Sequence, residues 1–279
     1  MCVLTPPLSY VATILMFRPP LPQPRCWGFD VKQFTNCRHA LMLWPLIPLS
    51  FAAHLFELGA LSNAMIVNVA LQVIYCFKFF VWEAGYMASM DIAHDRAGYY
   101  LCWGCAAFVP SMYVVHSWWL VTATVRALAA GTPPPELSPG AAVAALVLGL
   151  AFIALNYDAD RQRQEFRAAP KEKIWGAAPR FVRAPYVTEA GEKRESLLLS
   201  SGWWGLARHW HYVPEWLAAL AWTLPAGASS ALPYAYVAFL AILLLDRAHR
   251  DDARCEAKYG PAWVKYRAMV PWRIVPGLY

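Results

Sequence analysis

The stretch Asp246-Arg-Ala-His-Arg-Asp-Asp-Ala-Arg-Cys-Glu-Ala-Lys-Tyr259 directly follows an apolar run that extends from Pro233 to Leu245. An apolar helix that changes abruptly to dense charge is typical of a helix leaving a membrane. If the helix continues past Leu245, helical spacing places four charged residues on one face: Arg247, Asp251, Arg254 and Lys258. The dipeptide Gly260-Pro261 then predicts the end of this helix.

Three cations and one carboxylate on a single helix face suit a phosphorylated ligand that carries ribose. Guanidinium groups bind phosphate through paired hydrogen bonds, and a carboxylate accepts hydrogen bonds from hydroxyl groups. The alternative is a positive flank that only orients the helix in the membrane. Spacing alone leaves both interpretations open.

The composition is that of an integral membrane protein. Of the 279 residues, 59% are hydrophobic and only 15% are charged, which is typical of that class. Sixteen of the 24 Lys and Arg residues lie in the segments Arg161–Arg194 and Arg247–Arg273, which we expect on the cytoplasmic side. Because these cations are mixed with acids and adjoin membrane exits, we expect no nucleic-acid partner. The scattered cysteines indicate neither a disulfide framework nor a metal site.

The apolar runs predict an all-α fold, a polytopic transmembrane bundle of about five or six membrane segments. Asn68 and Gln72 are four residues apart within one run, so we expect them to face protein rather than lipid. A small β-hairpin is predicted between Tyr186 and Glu192. The runs are Leu41–Phe56, Asn63–Trp82, Phe108–Val125, Ala141–Leu155, Val213–Pro225 and Pro233–Leu245.

Several motifs resemble those of the membrane sterol reductases. The C-terminal signature of that family is similar to Arg247-x-x-Arg-Asp-x-x-Arg-Cys-x-x-Lys-Tyr-Gly-x-x-Trp-x-x-Tyr266. Within the family, Gly202-Trp-Trp-Gly-Leu-Ala-Arg-His-x-His-Tyr-Val-Pro-Glu215 resembles the sterol Δ7-reductases, especially the plant type. The same holds for Asp91-Ile-Ala-His-Asp-Arg-Ala-Gly-x-Tyr-x-Cys-Trp-Gly-Cys105 and for the basic element around Arg163 and Arg167. The resemblance extends from about residue 22 to the end of the chain.

The resemblance implies NADPH-dependent reduction of the C7–C8 double bond of a 5,7-diene sterol, of the 7-dehydrocholesterol type. It also implies a multi-pass protein of the endoplasmic reticulum membrane. The sterol would arrive from the bilayer, and membrane lipids and other enzymes of sterol biosynthesis are the expected partners. Position by position, the family's cofactor residues correspond to Arg163, Arg167, Leu199, Trp204, His211, Tyr212, Asp251, Cys255, Lys258, Tyr259 and Tyr266. We add Arg208, Arg247 and Arg254 because of their charge.

Reduction of an unactivated ring alkene requires a proton donor, because no carbonyl group polarises the double bond. We take Tyr266 and Asp91 as candidate acids and His94 and His209 as candidate proton relays. The sequence contains no G-x-G-x-x-G motif after a strand and no Walker loop. A dinucleotide would therefore bind through side chains carried on helices.

We expect three parts in the chain. Residues 1–28 form a remnant of a membrane segment and a linker, residues 29–157 a transmembrane bundle on the sterol side, and residues 158–279 a cofactor-binding part with a membrane hairpin at 213–245. Members of the family carry further membrane helices before the matching region, which we expect this chain to lack. Three alternatives stay open: a sterol Δ14-reductase, a non-catalytic or truncated sterol-reductase-like membrane protein, and a membrane methyltransferase of the isoprenylcysteine type.

Overall fold

The computed structural model describes residues 25–87, 92, 102–170, 172–188 and 191–279. Two candidate catalytic residues, Asp91 and His94, lie outside these ranges. Within them the chain is mostly helical, which confirms the helical membrane class, although short strands accompany the helices. Among the described residues, four continuous helical stretches are long and apolar enough to cross a membrane: Val31–Glu57, Asn63–Val81, Pro139–Ala168 and Leu232–Tyr259. The count of five or six membrane segments stays a prediction.

The chain divides into two compact units. Unit 1 contains the residues up to Val147 together with Ala221–Tyr236, and unit 2 contains Leu148–Leu220 together with Val237–Tyr279. The elements, in chain order, are β1 (Arg25–Cys26), β2 (Phe29–Asp30), α1 (Val31–Gln33), a π-helix (Phe34–Ala40), α2 (Leu41–Glu57), α3 (Asn63–Val81), α4 (Glu83–Tyr86), a second π-helix (Gly104–Phe108), α5 (Val109–Met112), α6 (Val115–Ala130), α7 (Pro139–Ala168), β3 (Phe181–Val187), β4 (Lys193–Leu199), α8 (Trp203–Leu206), α9 (Tyr212–Thr223), two 3₁₀ turns (Leu224–Ala226 and Leu232–Tyr234), α10 (Ala235–Tyr259) and α11 (Pro261–Met269).

The core of unit 1 contains a buried polar network. Asn68 and Gln72 are completely buried, as their spacing predicts. The Asn68 amide contacts His116 Nδ1 at 2.8 Å and donates to the carbonyl of Trp222 at 2.5 Å. Gln72 donates to Asn68 Oδ1 at 2.9 Å and accepts from Trp44 Nε1 at 3.0 Å. Buried amides in a membrane bundle need such partners, because lipid offers none.

The apolar run from Phe108 to Val125 does not form one helix. Helix α5 ends at Met112, and α6 begins at Val115 after Val114 departs from helical geometry with φ −114° and ψ 8°. The left-handed Gly131, with φ +66°, then ends α6 before the proline-rich connection.

Unit 2 joins parts of α7 and α10 with a β-hairpin and the C-terminal segment. Strands β3 and β4 pair antiparallel, from Phe181 opposite Leu199 to Val187 opposite Lys193, so the hairpin is longer than the sequence predicts. Helix α10 runs without a break to Tyr259, and Gly260 follows with φ +50°. The continuous charged helix and its glycine stop are therefore confirmed.

Candidate cofactor site

Two arginines on α7 form one side of the candidate site. Arg163 and Arg167 are four residues apart and share a helix face. The guanidinium carbon of Arg163 lies 4.0 Å from the ring centroid of Trp204, and its Nη2 atom is 3.5 Å from Asp160 Oδ1. Arg167 is exposed and forms no hydrogen bond or ion pair with any residue that the structure describes. Two neighbouring guanidinium groups of this kind favour an anionic ligand.

Trp204 is fixed from two directions. Its Nε1 atom donates to the carbonyl of Ala159 on α7 at 2.8 Å, and its ring packs with Phe166 and Leu199 in a buried cluster. The preceding Gly202 has φ +63° and ψ −144°, a backbone region that is essentially restricted to glycine. The turn before α8 therefore directs Trp204 towards α7.

The His209 motif, residues 208–212, brings together the rings of His209, His211 and Tyr212. The rings of His209 and Tyr212 stack at 5.2 Å with an interplanar angle of 10°, and His211 lies 4.9 Å from Trp204. The Nε2 atom of His209 is 3.7 Å from Asp251 Oδ2. Burial lowers the pKa of His209 to about 4, although Asp251 acts in the opposite direction. His209 is therefore neutral at physiological pH, as a proton relay requires.

The charged face of α10 adjoins His209 through Asp251. Asp251 pairs with Arg254 at 2.5 Å, and Cys255 Sγ lies 3.8 Å from the same carboxylate. Arg247, one turn before Asp251, is half-buried. The acid therefore orients one cation of the face and adjoins His209.

The far end of this face meets the β-hairpin. Lys258 Nζ lies 4.0 Å from the ring centroid of Tyr186, and the Tyr259 hydroxyl donates to Ser196 Oγ at 3.2 Å. Lys258 itself is exposed, so its ammonium group is held beside an aromatic ring but stays accessible to solvent. The hairpin thus fixes Lys258 and Tyr259, a role that the sequence does not indicate.

Tyr266 on α11 is buried, with 5% of its surface exposed, and packs with Val182, Trp263 and Val270. Burial raises its pKa, against the opposing effect of Arg163 and Arg208. Its hydroxyl makes no hydrogen bond with the described residues. The hydroxyl group therefore keeps its proton at neutral pH and is not engaged elsewhere in the described chain.

Arg208 occupies a different environment from the other predicted cations. It is 7% exposed, and its Nη1 atom donates to the carbonyls of Val270 and Pro271 at 2.8 and 2.9 Å. Its Nε atom lies 3.4 Å from Asp252 Oδ1. This geometry favours a structural role for Arg208 over contact with a ligand.

Two residues beside the site, Asp252 and Arg273, are not among those that the sequence predicts. Asp252 is 5% exposed and accepts from Arg273 Nη2 at 2.8 Å and from Trp263 Nε1 at 3.2 Å. The only sequence signal for Asp252 is that it follows Asp251 directly. In a helix the two adjacent side chains project about 100° apart, so they face different neighbours.

Two surface cavities lie in unit 2. One, of about 500 Å³, is lined by Phe181, Val182, Arg183, Pro261, Ala262 and Lys265. The other, of about 200 Å³, is lined by Asp158, Arg161, Gln162, Glu165, Phe166, Glu172, Lys173, Ile174 and Trp175. None of the predicted cofactor residues lines either cavity. Several of them cluster instead around Trp204, His209 and Asp251.

Residues 19–279 match the Ergosterol biosynthesis ERG4/ERG24 family. The chain belongs to this family of sterol reductases. It is 50% identical over 254 residues to the 7-dehydrocholesterol reductase of Arabidopsis thaliana, covering 90% of this chain and 56% of that protein. It is 40% identical over 253 residues to the 7-dehydrocholesterol reductase of Xenopus laevis, covering 90% of this chain and 51% of that protein.

A bacterial relative is also similar. The chain is 37% identical over 257 residues to the Delta(14)-sterol reductase of Methylotuvimicrobium alcaliphilum, covering 92% of this chain and 56% of that protein. The chain therefore spans just over half the length of these relatives. Membership of the family confirms the resemblance seen in the sequence and overturns the methyltransferase alternative.

Proposed function

We propose that the chain carries out NADPH-dependent reduction of the C7–C8 double bond of a 5,7-diene sterol, as a multi-pass protein of the endoplasmic reticulum membrane. The observation that carries this proposal is the grouping in unit 2 of cofactor positions that are far apart in the sequence. Arg163 on α7, Trp204 on α8 and Asp251 on α10 adjoin the His209 motif. The identity of 50% to a plant 7-dehydrocholesterol reductase, against 37% to a Delta(14)-sterol reductase, supports the Δ7 position.

The chemistry of these side chains fits a phosphorylated dinucleotide. Arg163 and Arg167 offer guanidinium donors for phosphate, and Arg167 has no ion pair in the described chain to compete for it. Asp251 offers carboxylate oxygens to ribose hydroxyl groups. The buried Nε2 atom of His209 has no hydrogen-bond partner among the residues that the structure describes, and a buried polar atom of this kind favours a ligand that supplies one.

A nicotinamide cofactor supplies a hydride when bound. The double bond takes up that hydride at one carbon and a proton at the other, so the reaction also needs an acid. Tyr266 is our candidate, because its hydroxyl keeps its proton at neutral pH and makes no other hydrogen bond in the described chain. Neutral His209 would relay the replacement proton. Asp91 and His94 stay alternative candidates.

The direct test is turnover in membranes that lack sterol Δ7-reductase activity. The chain would be expressed there, supplied with 7-dehydrocholesterol and NADPH, and the product identified as cholesterol by mass spectrometry. We expect Arg167→Gln to raise the KM for NADPH about tenfold or more, the value of one lost charged hydrogen bond. Arg161→Gln is the matched control, since Arg161 lies on the same helix but pairs with Asp158 and Glu165.

Three outcomes separate the alternatives. Reduction of a Δ14 sterol but not of 7-dehydrocholesterol would replace the proposed substrate. NADPH binding without either product would support a non-catalytic protein with a cofactor site. No NADPH binding by the unaltered chain would overturn the proposed cofactor. The sterol from the bilayer, membrane lipids and neighbouring enzymes of sterol biosynthesis are the partners that this function implies.

A further inference from the structure

A C-terminal strap, residues 270–275, lies against the His209 motif. The backbone N–H of Arg208 donates to the carbonyl of Trp272 at 3.0 Å, and the N–H of His209 donates to the carbonyl of Arg273 at 2.8 Å. With the two bonds from the Arg208 side chain to Val270 and Pro271, four hydrogen bonds join the strap to residues 208 and 209. The orientation of His209 therefore depends on the strap staying in place.

Asp252 is the carboxylate that holds both sides of this contact. Its Oδ2 atom accepts from Arg273 of the strap at 2.8 Å, and its Oδ1 atom lies 3.4 Å from Arg208 Nε in the His209 motif. Trp263 Nε1 on α11 donates a second hydrogen bond to the same carboxylate at 3.2 Å. A buried carboxylate is retained at low cost only when it is paired and hydrogen-bonded in this way.

The two consecutive acids on α10 therefore face different groups. Asp251 faces Arg254, Cys255 and His209 on the candidate cofactor side. Asp252 faces Arg208 and Arg273 and is more deeply buried than Asp251. Because adjacent helical residues project about 100° apart, one rigid turn of α10 sets both contacts at once.

We propose that Asp252 is a positioning residue, which fastens the strap through Arg208 and Arg273 and thereby keeps His209 buried and aligned beside Asp251. The consequence for the reaction rests on the proposed function, whereas the effect on His209 does not. Asp252 acts through its two arginine partners.

Modification of histidine by diethyl pyrocarbonate, followed by peptide mass spectrometry, tests the effect on His209. The reagent attacks neutral imidazole, so the 5% exposed His209 is protected by burial rather than by protonation. We expect Asp252→Asn to raise His209 labelling about tenfold, because local opening governs protection. The completely buried His116 of unit 1 should stay protected, and the exposed His39 should react equally in both proteins.

The control substitution is Glu256→Gln, which removes an exposed carboxylate from the same helix and breaks its ion pair with Arg267 at 3.2 Å. It should leave His209 protected. Arg273→Gln should reproduce the Asp252→Asn result. The double variant should add little to either single change, because each change removes the same contact between Asp252 and Arg273. Unchanged His209 labelling in Asp252→Asn, or equal increases at His209 and His116, would overturn the proposal.

NADPH titration then tests the link to the site. We expect Asp252→Asn to raise the Kd for NADPH about tenfold. The kcat of the enzyme with NADPH bound should change less. Failure of the unaltered chain to bind NADPH would remove the proposed function but leave the labelling result valid. A change in labelling with no change in Kd would show that His209 is positioned for something other than the cofactor and would overturn this link.

Discussion

The guanidinium group of Arg163 lies over the indole ring of Trp204, with 4.0 Å between the guanidinium carbon and the ring centroid. The indole is itself tied to α7 by the bond from its Nε1 atom to Ala159. A cation above an aromatic face is attracted by the ring quadrupole, and the attraction grows when the pair is desolvated. Trp204 therefore sets the direction in which the Arg163 guanidinium group points.

This arrangement predicts a defect in cofactor affinity when the ring is lost. We expect Trp204→Leu to raise the Kd for NADPH about tenfold, the upper part of the range for a cation–π contact. Trp204→Phe keeps an aromatic face and should lose less. Trp175→Leu is the control, because Trp175 is 61% exposed and does not contact Arg163. Equal Kd values for the Leu variants at 204 and 175 would exclude a specific role for Trp204.

A second prediction concerns the stability of unit 1. Asn68→Leu removes the contacts to His116 and to the Trp222 carbonyl and leaves Gln72 and Ser117 without the oxygen that accepts from them. We expect a loss of about 2 kcal/mol in unfolding free energy, since a side-chain hydrogen bond within a membrane protein averages about 0.6 kcal/mol. Unfolding in lipid micelles by increasing denaturing detergent gives the measurement.

The control for this prediction is Asn63→Leu at the first position of α3. Asn63 is half-buried and its side chain donates one bond, to the Leu137 carbonyl at 3.1 Å. Its loss should be well below that of Asn68→Leu. If the two variants were equally stable, the buried network would not contribute as its geometry indicates.

Helix periodicity accounts for what the sequence predicted well. The spacing of Asn68 and Gln72 places both on the protein side of α3, where they are buried. The charged run after Leu245 continues α10, which ends at Tyr259, directly before Gly260. These features depend on local geometry along one helix, which the order of residues determines directly.

The missed features depend on contacts between distant parts of the chain. Asp252 and Arg273 are 21 residues apart, and no periodicity within α10 reveals that this acid faces the strap. The charge of Arg208 alone suggests a phosphate contact. Its side chain instead donates hydrogen bonds to carbonyl groups of the strap. The sequence also predicts a shorter β3–β4 hairpin than the structure shows, because the strand pairing extends as far as Phe181 opposite Leu199.

A third prediction concerns the turn that carries Trp204. A methyl group at Gly202 would lie 2.2 Å from Gln162 Oε1, and that oxygen accepts the N–H of Trp203 at 2.9 Å. Gly202→Ala would therefore strain a glycine-specific backbone and displace this bond, with an expected loss of about 2 to 3 kcal/mol in stability. Gly131→Ala is the matched control, since its φ is +66° but no atom lies within 4 Å of the added carbon. A smaller loss at 202 than at 131 would contradict the steric argument.

A last prediction follows from the burial of His209. The charged and titratable groups that act on its ring are Asp251, Arg163, Arg208 and Asp252, and burial outweighs them and lowers its pKa from 6.5 to about 4. The unfolded chain binds a proton below pH 6.5, whereas the folded chain does so only near pH 4. Folding stability should therefore fall as the pH drops through this window, and His209 should contribute no pH dependence above it.

The loss of unfolding free energy attributable to His209 is on the order of 3 kcal/mol at the acid end of this window. His209→Gln cannot take up the proton, so its unfolding midpoint should depend less on pH between 4.5 and 6.5 than that of the unaltered chain. Parallel pH profiles for the unaltered chain and His209→Gln would show that His209 takes up its proton equally in both states, and that its ring is reached by water in the folded protein.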